Sequence, residues 1–153
     1  VQAWQTRDIP PHWPDTGALL QVVDAQGAVY NQTLAQWRAA HPGRAVAVHV
    51  WADWCPICRA EEGTITTLQG DWPVLTVAMQ SGSAAQVAAV LQQRGLPWSA
   101  VVDPQGQLSR ALGVGAVPAF GVLDAQGRLR LPTVGYTTSW GMRLRLWWVS
   151  TGI

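Results

Sequence analysis

From Ala45 to Trp51 the chain reads Ala-Val-Ala-Val-His-Val-Trp, and four residues later a cysteine pair opens a helical pattern. A short, nearly continuous apolar and β-branched run bounded by turn and polar residues reads as a buried strand. A strand apolar on both faces must lie inside a sheet that is covered on both sides. The rest of the sequence repeats the pattern. Val74 to Met79 is a second buried strand, and Ala100 to Val102 is a short third one. Between them Ser83 caps a helix from Ala84 to Arg94 that stops at Gly95. Leu19 to Val23 and Ala28 to Asn31 flank the turn Asp24-Ala-Gln-Gly27 and predict a hairpin. Ala119 to Leu123 and Leu129 to Val134 flank Asp124-Ala-Gln-Gly127 and predict another. Thr33 caps a helix to Ala40 that His41-Pro-Gly43 ends, Cys55 begins a helix to Gln69, Pro104 to Leu112 is a short helix, and Ser139 caps a last helix to Ser150. Strands alternating with helices and then a hairpin predict an α/β fold: a mixed central sheet, helices on both faces, and an N-terminal hairpin extension.

Composition narrows the function classes. Charged residues are 12% of the 153, against about 25% in typical soluble domains. The net charge is +1, and all ten basic residues are Arg. Disorder needs high charge and low hydrophobicity, so it is excluded. No basic stripe exists to neutralise phosphates, so nucleic acid is not an expected partner. No apolar run approaches the roughly 18 residues of a membrane span. Residues 1–18, rich in Pro and Trp, read as an irregular lead-in, and 19–153 as one domain. The chain starts at Val1 rather than Met, which fits an excised leader, a lost membrane anchor or an arbitrary boundary.

Cys55 and Cys58 are the two cysteines and form one Cys-Pro-Ile-Cys motif. A structural zinc site needs about four ligands, and His12, His41 and His49 are scattered. A lone C-x-x-C is otherwise a redox pair. Its place at a strand end and helix start matters, because the helix dipole and first N–H groups favour an anion at Cys55. A thiolate is the nucleophile in disulfide exchange, so Cys55 is expected to attack and the more interior Cys58 to resolve. Pro56 suits a first helical turn. Two alternatives stand beside this reading: a Cu(I)-binding module on the same two thiolates, and a permanent structural disulfide.

The segment Trp51-Ala-Asp-Trp-Cys-Pro-Ile-Cys58 resembles the active site of the thioredoxin superfamily, and Val117-Pro118 its cis-proline loop. Arg59-Ala-Glu61, Asp103-Pro-Gln-Gly106 and Asp124-Ala-Gln-Gly127 are similar to the TlpA/DsbE-like branch. The tail Trp140-Gly-Met-Arg-Leu-Arg-Leu-Trp147 resembles its copper-sensitivity-suppressor (ScsD-like) members. The resemblance spans roughly residues 19 to 150. It implies a thioredoxin-like fold and a periplasmic thiol:disulfide oxidoreductase, monomeric and tethered by an N-terminal membrane helix. It also implies disulfide exchange with protein thiols, a membrane or periplasmic redox partner that resets the pair, and no cofactor beyond the Cys55–Cys58 disulfide.

The same resemblance marks two departures. Thioredoxins carry a buried acid six residues before the first cysteine, where this chain has His49. A hydrogen-bonded core histidine is one reading; the other is a neutral His49 that takes or relays the proton when Cys58 attacks. Five residues after the second cysteine, Gly63 stands where thioredoxins have a kinking Pro, so a bend is expected there but less enforced. Val117 would pair its backbone with an incoming peptide strand. Trp54 would form the apolar rim, with Trp51 in the core, and the Pro56-Ile57 dipeptide adds neither charge nor donor to the motif. Glu61 and Glu62 suit the helix dipole, and Arg59 either supports the Cys55 thiolate or points to solvent. Met79 and Met142 are too few for a methionine-rich copper site. On the final helix, Trp140, Leu144, Trp147 and Trp148 are expected to dock on the sheet, a membrane surface being the alternative.

Overall fold

In the computed structural model the described residues are 13–15, 17–41 and 45–151. The lead-in up to residue 12, with His12, and the Pro42-Gly43 helix stop lie outside them. The elements run β1 (Leu20–Val23), β2 (Val29–Gln32), α1 (Leu34–Ala40), β3 (Val46–Trp51), α2 (Pro56–Ala60), α3 (Glu62–Gln69) and β4 (Val74–Met79). They continue as α4 (Ala84–Gln93), β5 (Ala100–Asp103), α5 (Gln107–Ala111), β6 (Ala119–Leu123), β7 (Leu129–Val134) and α6 (Ser139–Ser150). The seven strands form one sheet in the order β2-β1-β5-β4-β3-β6-β7. Strands β3, β4 and β5 are parallel, while β6, β7, β1 and β2 join antiparallel at the two sides. The expected α/β architecture and its N-terminal hairpin are both present.

Alternation along β3 divides its side chains between two cores. Val46, Val48 and Val50 pack with Leu75, Val77 and Leu123 beneath α1 and α5. Ala47 and Trp51 point the other way, toward Cys58, Ile65, Leu68, Val87, Leu91, Met142 and Leu146 from α2, α3, α4 and α6. Both Asp-Ala-Gln-Gly turns close identically. Asp24 Oδ1 accepts from the Gln26 and Ala28 N–H groups, and Asp124 Oδ1 from those of Gln126 and Arg128. Gly27 and Gly127 take φ of 84° and 80°, which a side chain would resist.

Four local expectations are corrected. The helix expected from Cys55 to Gln69 is two helices that meet at Glu61; the boundary falls two residues before Gly63, which lies inside α3 with open space around it. The short helix starts at Gln107 rather than Pro104, because Gly106 is left-handed and the Asp103 carboxylate accepts from Leu108 and Ser109 instead. The last helix is capped by Thr138, which accepts from Gly141, and not by Ser139.

The largest correction concerns the face of α6. Met142, Leu146 and Val149 turn inward. Trp140, Leu144, Trp147 and Trp148 do not dock on the sheet and are 75%, 53%, 55% and 43% exposed. Two interleaved apolar stripes occupy this helix, and the sheet selects the slimmer one. Two leucines two residues apart therefore differ in energetic role. Leu146→Ala should cost about 2–5 kcal/mol of unfolding free energy, while Leu144→Ala should stay within about 0.5 kcal/mol, as read by urea denaturation of each variant.

Candidate functional site

Strand β3 ends at Trp51, which is fully buried against Trp98 with ring centroids 5.6 Å apart. The chain turns through Ala52 to Trp54, and Cys55 becomes the N-cap of α2 in extended backbone conformation. Its Sγ accepts the Cys58 backbone N–H at 3.2 Å. Cys55 and Cys58 are joined as a disulfide, Cα atoms 5.3 Å apart. They are 5% and 2% exposed. Pro56 stands at the start of the helix as expected, and Arg59 lies in solvent.

A second element closes on the pair from the β6 side. The Val117–Pro118 bond is cis, and the Val117 carbonyl oxygen lies 3.8 Å from Cys55 Sγ. Pro118 is held from behind, its carbonyl accepting the Gly135 N–H at 2.8 Å. That contact brings Tyr136 to the same neighbourhood. Trp54 and Ile57, on either side of Cys55 in the chain, and Tyr136 are each more than half exposed, and Val117 is half-buried. Trp54 is also tethered, its Nε1 donating to the Gln80 carbonyl at 3.1 Å. Gln80 has φ of 48°, a conformation uncommon outside glycine. Nearby, Asp53 N–H donates to Ser81 Oγ, and Arg94 binds both the Asp53 carbonyl and the Glu62 carboxylate. No local pattern signalled Gln80, Ser81 or Arg94 at this site, because they arrive from the loop after β4 and from the end of α4.

Glu61 departs from its expected role. It is 1% exposed, and its carboxylate accepts the Thr137 N–H at 2.7 Å rather than supporting a helix dipole from solvent. Burial pushes its pKa up to about 7, with the Thr137 hydrogen bond opposing. The signal for this was present. Cys58, Glu61, Ile65 and Leu68 follow the 3-4-3 spacing of a helix's inner face, and one member is an acid. Glu62, one residue on, does keep the dipole position at the start of α3 and pairs with Arg94 at 2.9 Å.

His49 also differs from its simpler reading. It is fully buried on β3, edge-on to Trp98 at 6.0 Å, and neither ring nitrogen has a hydrogen-bond partner among the described residues. Burial lowers its pKa to about 4, and the nearby Ala119 backbone, outside hydrogen-bond geometry, opposes only partly. It shares the sheet face of Ala47 and Trp51, the face that α2 covers. Among the described residues no three His, Cys, Asp or Glu side chains gather as a metal site.

Residues 20–139 match the redoxin family. The chain belongs to that family. Within this redoxin group it is 31% identical over 100 residues to a thioredoxin-like protein of Haemophilus influenzae, covering 65% of this chain and 59% of that one. It is 37% identical over 83 residues to a DsbE homolog, a thiol:disulfide interchange protein of Paracoccus denitrificans, covering 54% and 46%. The chain thus spans only about half the length of these relatives. Its fold is thioredoxin-like: it superposes on an exposed lipoprotein thioredoxin of Streptococcus pneumoniae with a TM-score of 0.66 and 25% identity, covering 84% of this chain and 98% of that one. The family match and the similarity to DsbE relatives agree with the resemblance read from the cysteine segment and the cis-proline loop.

Glu61 and His49 bend the stability of this redoxin in opposite directions. Glu61 holds its proton more tightly when folded, so its contribution is lost as pH rises from about 4.5 to about 7. His49 binds a proton less readily when folded, so its contribution is lost as pH falls from about 6.5 to about 4. In thermal melts across this range, Glu61→Gln should gain Tm relative to the parent as pH rises. His49→Gln should gain Tm relative to the parent as pH falls.

Proposed function

We propose that this domain is a periplasmic thiol:disulfide oxidoreductase, monomeric and tethered by an N-terminal membrane helix, which exchanges disulfides with protein thiols. The observation that carries this reading is Cys55 at the helix N-cap, its sulfur receiving the Cys58 N–H beneath the Val117 carbonyl. The helix terminus stabilises a thiolate at that sulfur. In the reduced protein the Cys55 thiolate attacks a substrate disulfide and releases one substrate thiolate. Cys58 then gives up its proton and attacks Cys55 Sγ, which closes the Cys55–Cys58 bond and releases the second thiolate. Two electrons pass to the substrate in total. The reverse sequence begins with a substrate thiolate on Cys55 Sγ and leaves Cys58 as the displaced thiolate. The pair itself carries the electrons, so the chemistry calls for no bound cofactor, and a membrane or periplasmic thiol partner resets it.

An extended polypeptide pairs with the Val117 backbone and rests on Trp54, Ile57 and Tyr136, a contact tolerant of sequence. The extracytoplasmic setting is supported by the pneumococcal neighbour, described as an exposed lipoprotein. The copper-sensitivity-suppressor assignment rests on the tail Trp140 to Trp147.

For the proton of the resolving step, Glu61 is the better-matched buried group. Its pKa of about 7 lies near neutral, where a base is half-loaded. His49, at about 4, is a much weaker base. In insulin-reduction assays Cys55→Ser should abolish turnover. Cys58→Ser should instead accumulate a mixed disulfide visible on non-reducing gels. Glu61→Gln should flatten the pH dependence of the resolving step around neutrality, whereas His49→Gln should leave it in place. Wild-type protein that binds Cu(I) tightly and reduces nothing would replace this reading with a copper-binding module, and a disulfide resistant to mild thiol would replace it with a structural bond.

A further inference from the structure

We propose that the outer face of α6 is a contact surface for an anionic lipid bilayer. The helix carries two apolar stripes: Met142, Leu146 and Val149 enter the core, while Trp140, Leu144, Trp147 and Trp148 face outward. A run of exposed large apolar side chains along one helix face marks an interaction site. The outward residues fall at i, i+4, i+7 and i+8, a single stripe along a helix about 18 Å long.

Charge and shape select the occupant. The helix carries Arg143 and Arg145 and no acidic residue. Arg143 is paired with Asp71 at 2.7 Å. Arg145 spends its donors on the neutral carbonyls of Leu131 and Gly141, so its charge is uncompensated. Leu131, held in this way, sits at φ 52° on the outermost strand and is 40% exposed. A leucine in that backbone region is strained, and here it adds an apolar side chain near the helix. The outward face of a helix is convex. A protein partner would need a matching concavity, whereas a bilayer yields around it. A second copy docked face to face would oppose its own arginines to these. Indole rings settle at headgroup depth, with an apolar body and a polar N–H, and arginines beside them meet anionic phosphates.

The consequence is orientation. Helix α6 begins two residues after Thr137, whose N–H holds Glu61, and Gly135 binds Pro118. A domain lying on α6 therefore keeps the disulfide close to the membrane plane.

The test is vesicle binding by the whole chain, read by co-sedimentation and tryptophan emission. Vesicles of phosphatidylglycerol with phosphatidylethanolamine are compared with phosphatidylcholine alone. Binding with blue-shifted emission is expected on the anionic vesicles and should weaken with salt. The double variant Leu144→Gln, Trp147→Gln should bind at least about tenfold more weakly, the loss expected when two large side chains leave an apolar contact. Its insulin reduction in vesicle-free solution should be unchanged. The proposal is overturned by an absence of binding, by binding indifferent to lipid charge, or by a variant that binds as well as the parent. It is equally overturned if the parent dimerises in vesicle-free solution and the variant does not, because a second copy then covers the face.

Discussion

The placement of Cys55 Sγ at the first turn of α2, where it receives the Cys58 N–H, is the contact on which the rest of the site depends. It exists because β3 is buried on both faces and cannot move, so the helix that follows begins at a defined point. A nucleophile on a free loop would lose both the N–H donor and the dipole. The sheet's second contribution comes from the other side of β3. Strand β6 pairs with it antiparallel and carries the Val117 carbonyl to within 3.8 Å of the same sulfur. Two neighbouring strands thus bring the Cys55 sulfur and the Val117 carbonyl together.

A second constraint lies one helical turn deeper. The break between α2 and α3 at Glu61 coincides with the carboxylate reaching Thr137, just before the cap of α6. The active-site helix is therefore tied to the segment leading into the last helix through a buried acid whose proton affinity has been raised to near neutral. His49 shows the opposite effect of the same burial. Desolvation disfavours charge, so it raises an acid and lowers a base.

Much of this was legible in the residues. The two-faced apolar run into Cys-Pro-Ile-Cys announced the strand and the start of the helix at Cys55, because period and turn chemistry are local properties. The Val117-Pro118 segment was legible only through resemblance, since nothing local says that it returns to Cys55. Glu61 carried a readable signal, an acid on the helix's inner face. The outward turn of Trp140, Leu144, Trp147 and Trp148 was not readable, because α6 has two apolar stripes and either could have met the sheet.

Local pattern set which segments are strands and where Cys55 caps its helix, and it pointed to the two cysteines as a candidate redox pair. Those follow from spacing and from chemistry within a few residues. The surroundings came from tertiary packing: Trp54 tethered to Gln80, Gly135 bound to Pro118, Glu61 buried against Thr137, His49 without a hydrogen-bond partner among the described residues, and the wider apolar face of α6 left to solvent. Each of these depends on which distant surfaces the sheet brings together, and no local pattern encodes that distance.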